Sequence, residues 1–205
     1  MKINNVLKHS QQPVLTIILV GICVVIALAS NLGENRLIVE NFLISKYRGQ
    51  GIWLLPEIRA GEYWRLITPI FIHFGILHIV FNSLWLWELG GAIERTSQAW
   101  KLGALVFVIG LLSNLAQYFY GGPFFGGMSG VVYGLLGYVW AQGRFNPNAR
   151  LILHHYIMVM MLVWFALCWT GWLGPIANMA HTVGLLVGLL WGWLEAIRVK
   201  GLRRG

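Results

Sequence analysis

Long apolar runs recur six times along the chain: Val14 to Ser30, a stretch within Ile70 to Leu89, and about Leu102 to Tyr120, Met128 to Gln142, Leu151 to Trp172 and Ala177 to Ile197. About 20 apolar residues cross a hydrocarbon core, with a range of roughly 17–25. In lipid, a spanning segment must satisfy its own backbone polar groups, and a helix does so internally. The fourth run is short, so it is expected to begin below the membrane surface, placing its first residues in a depression. Composition agrees: 58% of the 205 residues are hydrophobic and 11% charged, against roughly half and a quarter in a soluble domain. The runs imply an all-α membrane protein, a six-transmembrane-helix bundle forming one domain.

The net charge of +8 does not mark a nucleic-acid protein, because the basic residues form no single patch. They punctuate the apolar runs, as topology signals do. With a cytoplasmic N-terminus, ten fall inside: Lys2, Lys8, Arg95, Lys101, Arg144, Arg150, Arg198, Lys200, Arg203 and Arg204. The other five, Arg36, Lys46, Arg48, Arg59 and Arg65, share the first outer loop. That bias predicts both termini in the cytoplasm. The loop, about residues 31–66, carries Trp53, Leu54, Leu55, Tyr63 and Trp64 and is expected to be a structured, interfacial element. Lys2, Lys8 and Ala27-Leu28-Ala29 also resemble a secretory signal with its cleavage site, but the run is read as a retained anchor. The domain reading is a short cytoplasmic segment 1–13, a six-helix domain 14–197 and a basic cytoplasmic tail 198–205.

The chain has no aspartate, and none of its glutamates falls between Glu94 and Glu195. Within that acid-free stretch Ser129 opens the fourth run and His181 lies near the start of the sixth. With alternating spans, His78, Ser129 and His181 fall at similar depth. A serine hydroxyl needs a base within hydrogen-bond reach, and histidine is the usual one. Gly184, Gly188 and Gly192 follow His181 at i+3, i+7 and i+11, on its own helix face. With Gly130, Gly134 and Gly137 on the fourth run, they allow close helix approach; Leu189 is expected to point elsewhere. Tyr133, one turn beyond Ser129, can stack on the imidazole. His78 and Asn82, at i and i+4, can donate to a developing oxyanion, with the Ser129 backbone N–H as a third donor. From residues alone, a packing seam and ordinary interhelical hydrogen bonds stay open beside this catalytic reading.

Cys23 and Cys168 lie in separate apolar runs and read as small packing groups. His154 and His155 start the fifth run on the inner side and read as interfacial. There is no HExxH or CxxC pattern and no carboxylate beside the deep histidines. No metal and no cofactor are expected.

Gly127-Met128-Ser129-Gly130-Val131-Val132-Tyr133-Gly134 resembles the GxSG signature of rhomboid intramembrane proteases. Ala180-His181 with Gly184 and Gly188 resembles their second motif. His73-Phe74-Gly75-Ile76-Leu77-His78-Ile79-Val80-Phe81-Asn82 is similar to their HxxxxHxxxN element, and Trp64-Arg65 to the tryptophan-arginine pair of their first loop. The likeness covers nearly everything beyond about residue 14 and is closest to the six-helix bacterial type. It implies a rhomboid bundle in the bacterial inner membrane, a Ser129–His181 dyad with Ser129 as nucleophile and His181 as general base, and oxyanion contacts from His78 and Asn82. It implies supporting roles for Tyr133, Gly127, Gly130, Trp64 and Arg65, and for Glu94 as a buried tie between the second helix and the first loop. Its implied partners are transmembrane protein substrates and the lipid bilayer, with no nucleic acid and no metal. Two departures stand out: residues 1–13 are expected to leave no soluble N-terminal domain for substrate recruitment, and Met179 stands where the family often has a smaller residue. The competing readings are a catalytically inactive rhomboid-like binding protein and a small transporter with a polar pathway. Labelling by a fluorophosphonate separates both from a protease.

Overall fold

The computed structural model describes residues 12–46, 55–151 and 153–201, and among these the chain is helical with no strand. The helices are α1 (Val14–Ala29), α2 (Arg36–Phe42), α3 (Pro56–Arg59), α4 (Ile76–Trp85), α5 (Gly91–Ser97), α6 (Ala99–Gly121), α7 (Ser129–Phe145), α8 (His155–Trp169) and α9 (Asn178–Gly201). A π turn at Leu86–Gly90 joins α4 to α5, so Ile76–Ser97 is one helix of 22 residues.

Among the described residues three helices are long and apolar enough to cross a membrane: Ile76–Ser97, Ala99–Gly121 and Asn178–Gly201. Val14–Ala29 and His155–Trp169 are shorter apolar helices. The fourth apolar run, on α7, has a different surrounding: every residue from Gly130 to Val139 is buried. Helix α7 is the centre of the bundle, and its most extensive packing is against α9, followed by that of α6 against α9.

The second run differs most from its expected extent. Its start at Ile76 lies inside the expected Ile70 to Leu89 stretch, but it continues past Leu89 to Ser97. Pro69 and Gly75, the latter at φ +90°, break the chain before the helix. Ile70 and Ile72 are 1% and 0% exposed, so their apolar character serves packing below a loop. At its other end, Gln98 at φ +74° separates α5 from α6.

Glu94 holds a different place from the one the resemblance implied. Its carboxylate accepts the backbone N–H groups of Leu15 and Thr16 and the Thr16 hydroxyl. It therefore ties α5 to the start of α1, not to the segment between α1 and α4. First-turn N–H groups have no intrahelical partner, and Pro13 supplies no side-chain cap. Gly90 lies beside this contact: a Cβ there would stand 3.5 Å from Thr16 Oγ1, in ordinary van der Waals contact.

The segment between α1 and α4 contains α2, α3 and two 3₁₀ turns, Tyr63–Leu66 and Thr68–Phe71. Of the expected aromatic and apolar anchors, Trp53 and Leu54 lie outside the described residues, as does Arg48. Tyr63 and Trp64 are exposed, and Leu55 packs against the Ile44, Tyr118 and Phe125 cluster. Arg65 is buried. Its guanidinium donates to the Glu40 and Leu43 carbonyls and pairs with Glu62.

Candidate active site

Gly127 sets the approach to Ser129. It has φ +121° and donates its N–H to the Pro69 carbonyl at 3.0 Å. A Cβ there would lie 2.6 Å from His78 Nε2, so a side chain would both strain the backbone and displace the imidazole. Met128 follows, fully buried, and Ser129 starts α7. Its N–H is one of the first-turn donors with no partner inside the helix.

His181 lies in the first turn of α9, 5% exposed. Ser129 Oγ and His181 Nε2 are 2.7 Å apart, across 52 residues of sequence. Glycines make this approach possible. A Cβ on Gly184 would fall on the Gly130 carbonyl, and one on Gly188 on the Gly134 carbonyl. A Cβ on Gly192 would stand 2.8 Å from the Tyr138 carbonyl oxygen. The two backbones are thus in direct contact over much of α7. Leu189 departs from its expected direction, because a Cβ on Gly137 would meet Leu189 Cγ at 3.1 Å. It faces α7, whereas Leu190 is 55% exposed.

The ring of Tyr133 lies 4.8 Å from that of His181, tilted by 44°. Its hydroxyl donates to the Met161 carbonyl at 3.2 Å, and its ring meets Phe165 edge-on. Tyr133 is thereby held from α8 while its face covers the imidazole. His181 Nδ1 is buried and, among the described residues, has no hydrogen-bond partner.

His78 Nδ1 accepts the Phe74 N–H at 3.1 Å. A nitrogen that accepts cannot carry the hydrogen, so the neutral ring carries it on Nε2. That nitrogen faces Gly127 and the Ser129 side of the site. Asn82 is 6% exposed, and its amide donates one hydrogen to the His78 carbonyl at 2.8 Å. Part of its donor capacity is therefore spent within its own helix, and its Oδ1 is buried without a partner.

A Rhomboid domain model matches residues 60–198. The chain is 36% identical over 196 residues to "Rhomboid protease GlpG" of Salmonella paratyphi A, covering 95% of this chain and 67% of that protein. The protein of the same name from Salmonella typhi aligns with the same identity and coverage. That of Salmonella newport is 40% identical over 149 residues, 72% of this chain and 54% of its own length. The chain belongs to the rhomboid family. It is a rhomboid serine protease, a hydrolase, and a bacterial integral membrane protein.

Not every residue singled out in this rhomboid's sequence meets the Ser129–His181 pair. Trp64 is exposed, and Arg65 is spent on the α2 carbonyls. Glu94 lies sixteen residues past His78 on the same helix, roughly 24 Å along it. His154 and His155 are exposed at the start of α8. Cys23 and Cys168 are buried free thiols. Gly130 does belong: a Cβ there would meet Ser113 Oγ at 3.0 Å and the Ala180 carbonyl at 3.2 Å.

Two buried amides, Gln117 and Asn114, escaped the sequence reading, and the structure gives partners to them and to His73, the first histidine of the HxxxxHxxxN element. Gln117 on α6 accepts the N–H groups of Met179 and Ala180 through Oε1, at 3.1 and 3.3 Å, capping α9 just before His181. Asn114 on α6 donates to the Leu66 and Ile67 carbonyls. His73, fully buried, donates from Nδ1 to the Phe71 carbonyl, and its ring lies 5.0 Å from that of His78. Their signal was present: an amide within an apolar run is expensive unless it bonds. Among the described residues no group of three His, Cys, Asp or Glu side chains could hold a metal ion.

Proposed function

We propose that this rhomboid is an intramembrane endopeptidase that hydrolyses peptide bonds in or near the transmembrane helices of membrane-protein substrates, with Ser129 as nucleophile and His181 as general base. The contact of 2.7 Å between Ser129 Oγ and His181 Nε2 carries this reading. Oγ attacks the scissile carbonyl carbon while Nε2 takes its proton. The resulting oxyanion is met by His78 Nε2–H, the free amide hydrogen of Asn82 and the Ser129 backbone N–H. The imidazolium then gives its proton to the leaving amine as the C–N bond breaks. Water, deprotonated by His181, releases the acyl group and restores Ser129.

During this cycle His181 becomes a cation with no carboxylate beside it. The Tyr133 face, 4.8 Å away, lies within the roughly 6 Å at which a ring stabilises a cation. Gly127 and Gly130 allow the backbone approaches. Trp64, Arg65 and Glu94 support the fold at a distance.

The membrane arrangement is a six-span bundle over residues 14–197, flanked by cytoplasmic segments 1–13 and 198–205, in the bacterial inner membrane. The basic-residue bias supports it. The 17 residues of α7 reach roughly 25 Å, short of a hydrocarbon core of about 30 Å. That supports a Ser129 placed below the membrane surface.

The test is cleavage of a transmembrane model substrate in liposomes, with products mapped by mass spectrometry, alongside fluorophosphonate labelling. The parent should cleave and label, and Ser129→Ala should do neither. Cleavage that survives Ser129→Ala would sink the assignment. Absence of both in the folded parent would mark an inactive binding protein.

A further inference from the structure

The stretch from Leu66 to Phe74 touches both halves of the proposed site. Its Pro69 carbonyl accepts the Gly127 N–H at 3.0 Å, two residues before Ser129. Its Ile72 packs so closely on the serine loop that a Cβ on Gly126 would lie 2.6 Å from Ile72 Cβ. Its Phe74 N–H donates to His78 Nδ1 at 3.1 Å and so selects the hydrogen on Nε2. The nucleophile and an oxyanion donor thus take their positions from one short piece of chain.

That piece lacks a helical ladder of its own. It is a single 3₁₀ turn, Thr68–Phe71, followed by extended backbone at Ile72. Such a segment keeps its register only if pinned from outside. Thr68 Oγ1 donates to the Phe42 carbonyl at 2.9 Å. Asn114 Nδ2 donates to the Leu66 carbonyl at 2.9 Å and the Ile67 carbonyl at 3.4 Å. Asn114 is 3% exposed and sits inside the apolar helix α6. Both of its acceptors belong to the stretch. It is not a bridge between helices.

We propose that Asn114 is a positioning residue: it pins the Leu66–Ile67 turn to α6, so that one segment holds Ser129's loop and the His78 imidazole in mutual register. This rests on the roles given above to Ser129 and His78. Without the pin, the Pro69 carbonyl and the Phe74 N–H shift together against α7. The error appears as a wrong distance from His78 Nε2 to the developing oxyanion. A misplacement of about 1 Å can lower a rate ~10²-fold.

Asn114→Leu removes the donor at similar size, and Asn114→Ala serves if that variant does not fold. The comparator is Gln142→Leu, which removes another buried amide donor, from Gln142 Nε2 to the Gly192 carbonyl at 2.8 Å, near the opposite end of α7. Each is assayed on a transmembrane substrate at a temperature where it is fully folded. Asn114→Leu should lower kcat ~10-fold or more with little change in KM, and Gln142→Leu should leave kcat near the parent's. In a His78→Ala background, Asn114→Leu should lower kcat by less than about 2-fold, because the group it registers is gone. An equal loss in both backgrounds overturns the proposal, as does a loss that only tracks unfolding in parallel with Gln142→Leu. If His78→Ala alone leaves kcat unchanged, the oxyanion role itself fails, a result visible before Asn114 is changed, and the proposal falls with it.

Discussion

Glu94 closes the start of α1 through Thr16, whose backbone N–H and hydroxyl both donate to the same carboxylate oxygen at 2.8 Å. The arrangement answers two needs at once. First-turn N–H groups want an acceptor, and a carboxylate that is 7% exposed wants donors. Glu94→Gln keeps the shape but removes the charge and turns one acceptor into a donor. It should lower stability by about 1–3 kcal/mol. Thermal unfolding in detergent measures this, and kcat of the folded variant should match the parent's. A lower kcat at unchanged unfolding temperature would show that Glu94 does more than join two helices.

Ser129→Ala and His181→Ala should each abolish proteolysis with the fold intact. Groups that act as a unit lose activity non-additively. The double variant should therefore be no slower than either single one. Fluorophosphonate labelling and substrate cleavage, run on all three, check this. Additive losses would mean that the two side chains act independently.

His78 and Asn82 should differ in degree. His78 has its Nε2 hydrogen committed to the site by the Phe74 N–H, whereas Asn82 has one amide hydrogen engaged by the His78 carbonyl. His78→Ala should lower kcat by ~10²–10³, as removal of an oxyanion donor typically does. Asn82→Ala should cost less. Both should change kcat more than KM, since the donors act on charge that develops in the transition state. A pure KM effect would make them substrate contacts instead.

The sequence made some relationships legible and hid others, for physical reasons. Gly184, Gly188 and Gly192 repeat at helix spacing, so a shared face follows from helix geometry, and the structure puts Gly130 and Gly134 against that face. Ser129 and His181 stand out because polar groups are rare in such runs. What a buried polar group bonds to is another matter. Glu94 meets Thr16 across 78 residues and Gln117 meets Ala180 across 63, and no local pattern encodes either distance. The run ahead of Ile76 is longer than one helix needs because Ile70 and Ile72 are buried loop packing, which has the same composition as a span. At α7 the run length says nothing of the neighbours that bury Gly130 to Val139 on all sides.

Glu57 gives the segment between α1 and α4 a pH dependence. Burial works to raise its pKa. The Ser45 hydroxyl, the backbone N–H groups of Glu57 and Lys46, and the Arg65 charge outweigh it and hold the carboxyl below its usual 4.5. A depressed folded value means stabilisation that is complete above the unfolded value and is lost as pH falls through the folded one. The tie from Ser45 and Lys46 to Glu57, both bonds at 2.7 Å, should therefore hold at neutral pH and loosen below about 4.5. Limited proteolysis of this segment against pH should show cleavage rising on acidification in the parent. In Glu57→Gln that pH dependence should be absent. A parent profile flat through the acid range would refute the tie.

Gly188 is the sharpest test of the helix contact. Its missing side chain leaves room for the Gly134 carbonyl, so even Gly188→Ala forces backbone against backbone, and Gly188→Val forces more. Neither helix has a flexible side-chain tip that could yield. The helices must separate, and His181, two turns away on the same face, must move with α9. An ångström of displacement can lower the rate ~10²-fold, and stability should fall as close packing is lost. The control is Leu190→Phe, because Leu190 is 55% exposed, whereas Leu189 packs toward Gly137. Proteolysis and thermal unfolding in detergent, measured on the three variants, should rank Gly188→Val lowest, Gly188→Ala next and Leu190→Phe near the parent. If Gly188→Val is as active and stable as the parent, the seam does not set the distance from Ser129 to His181. The cap that Gln117 places on Met179 and Ala180 would then be the contact that holds the histidine.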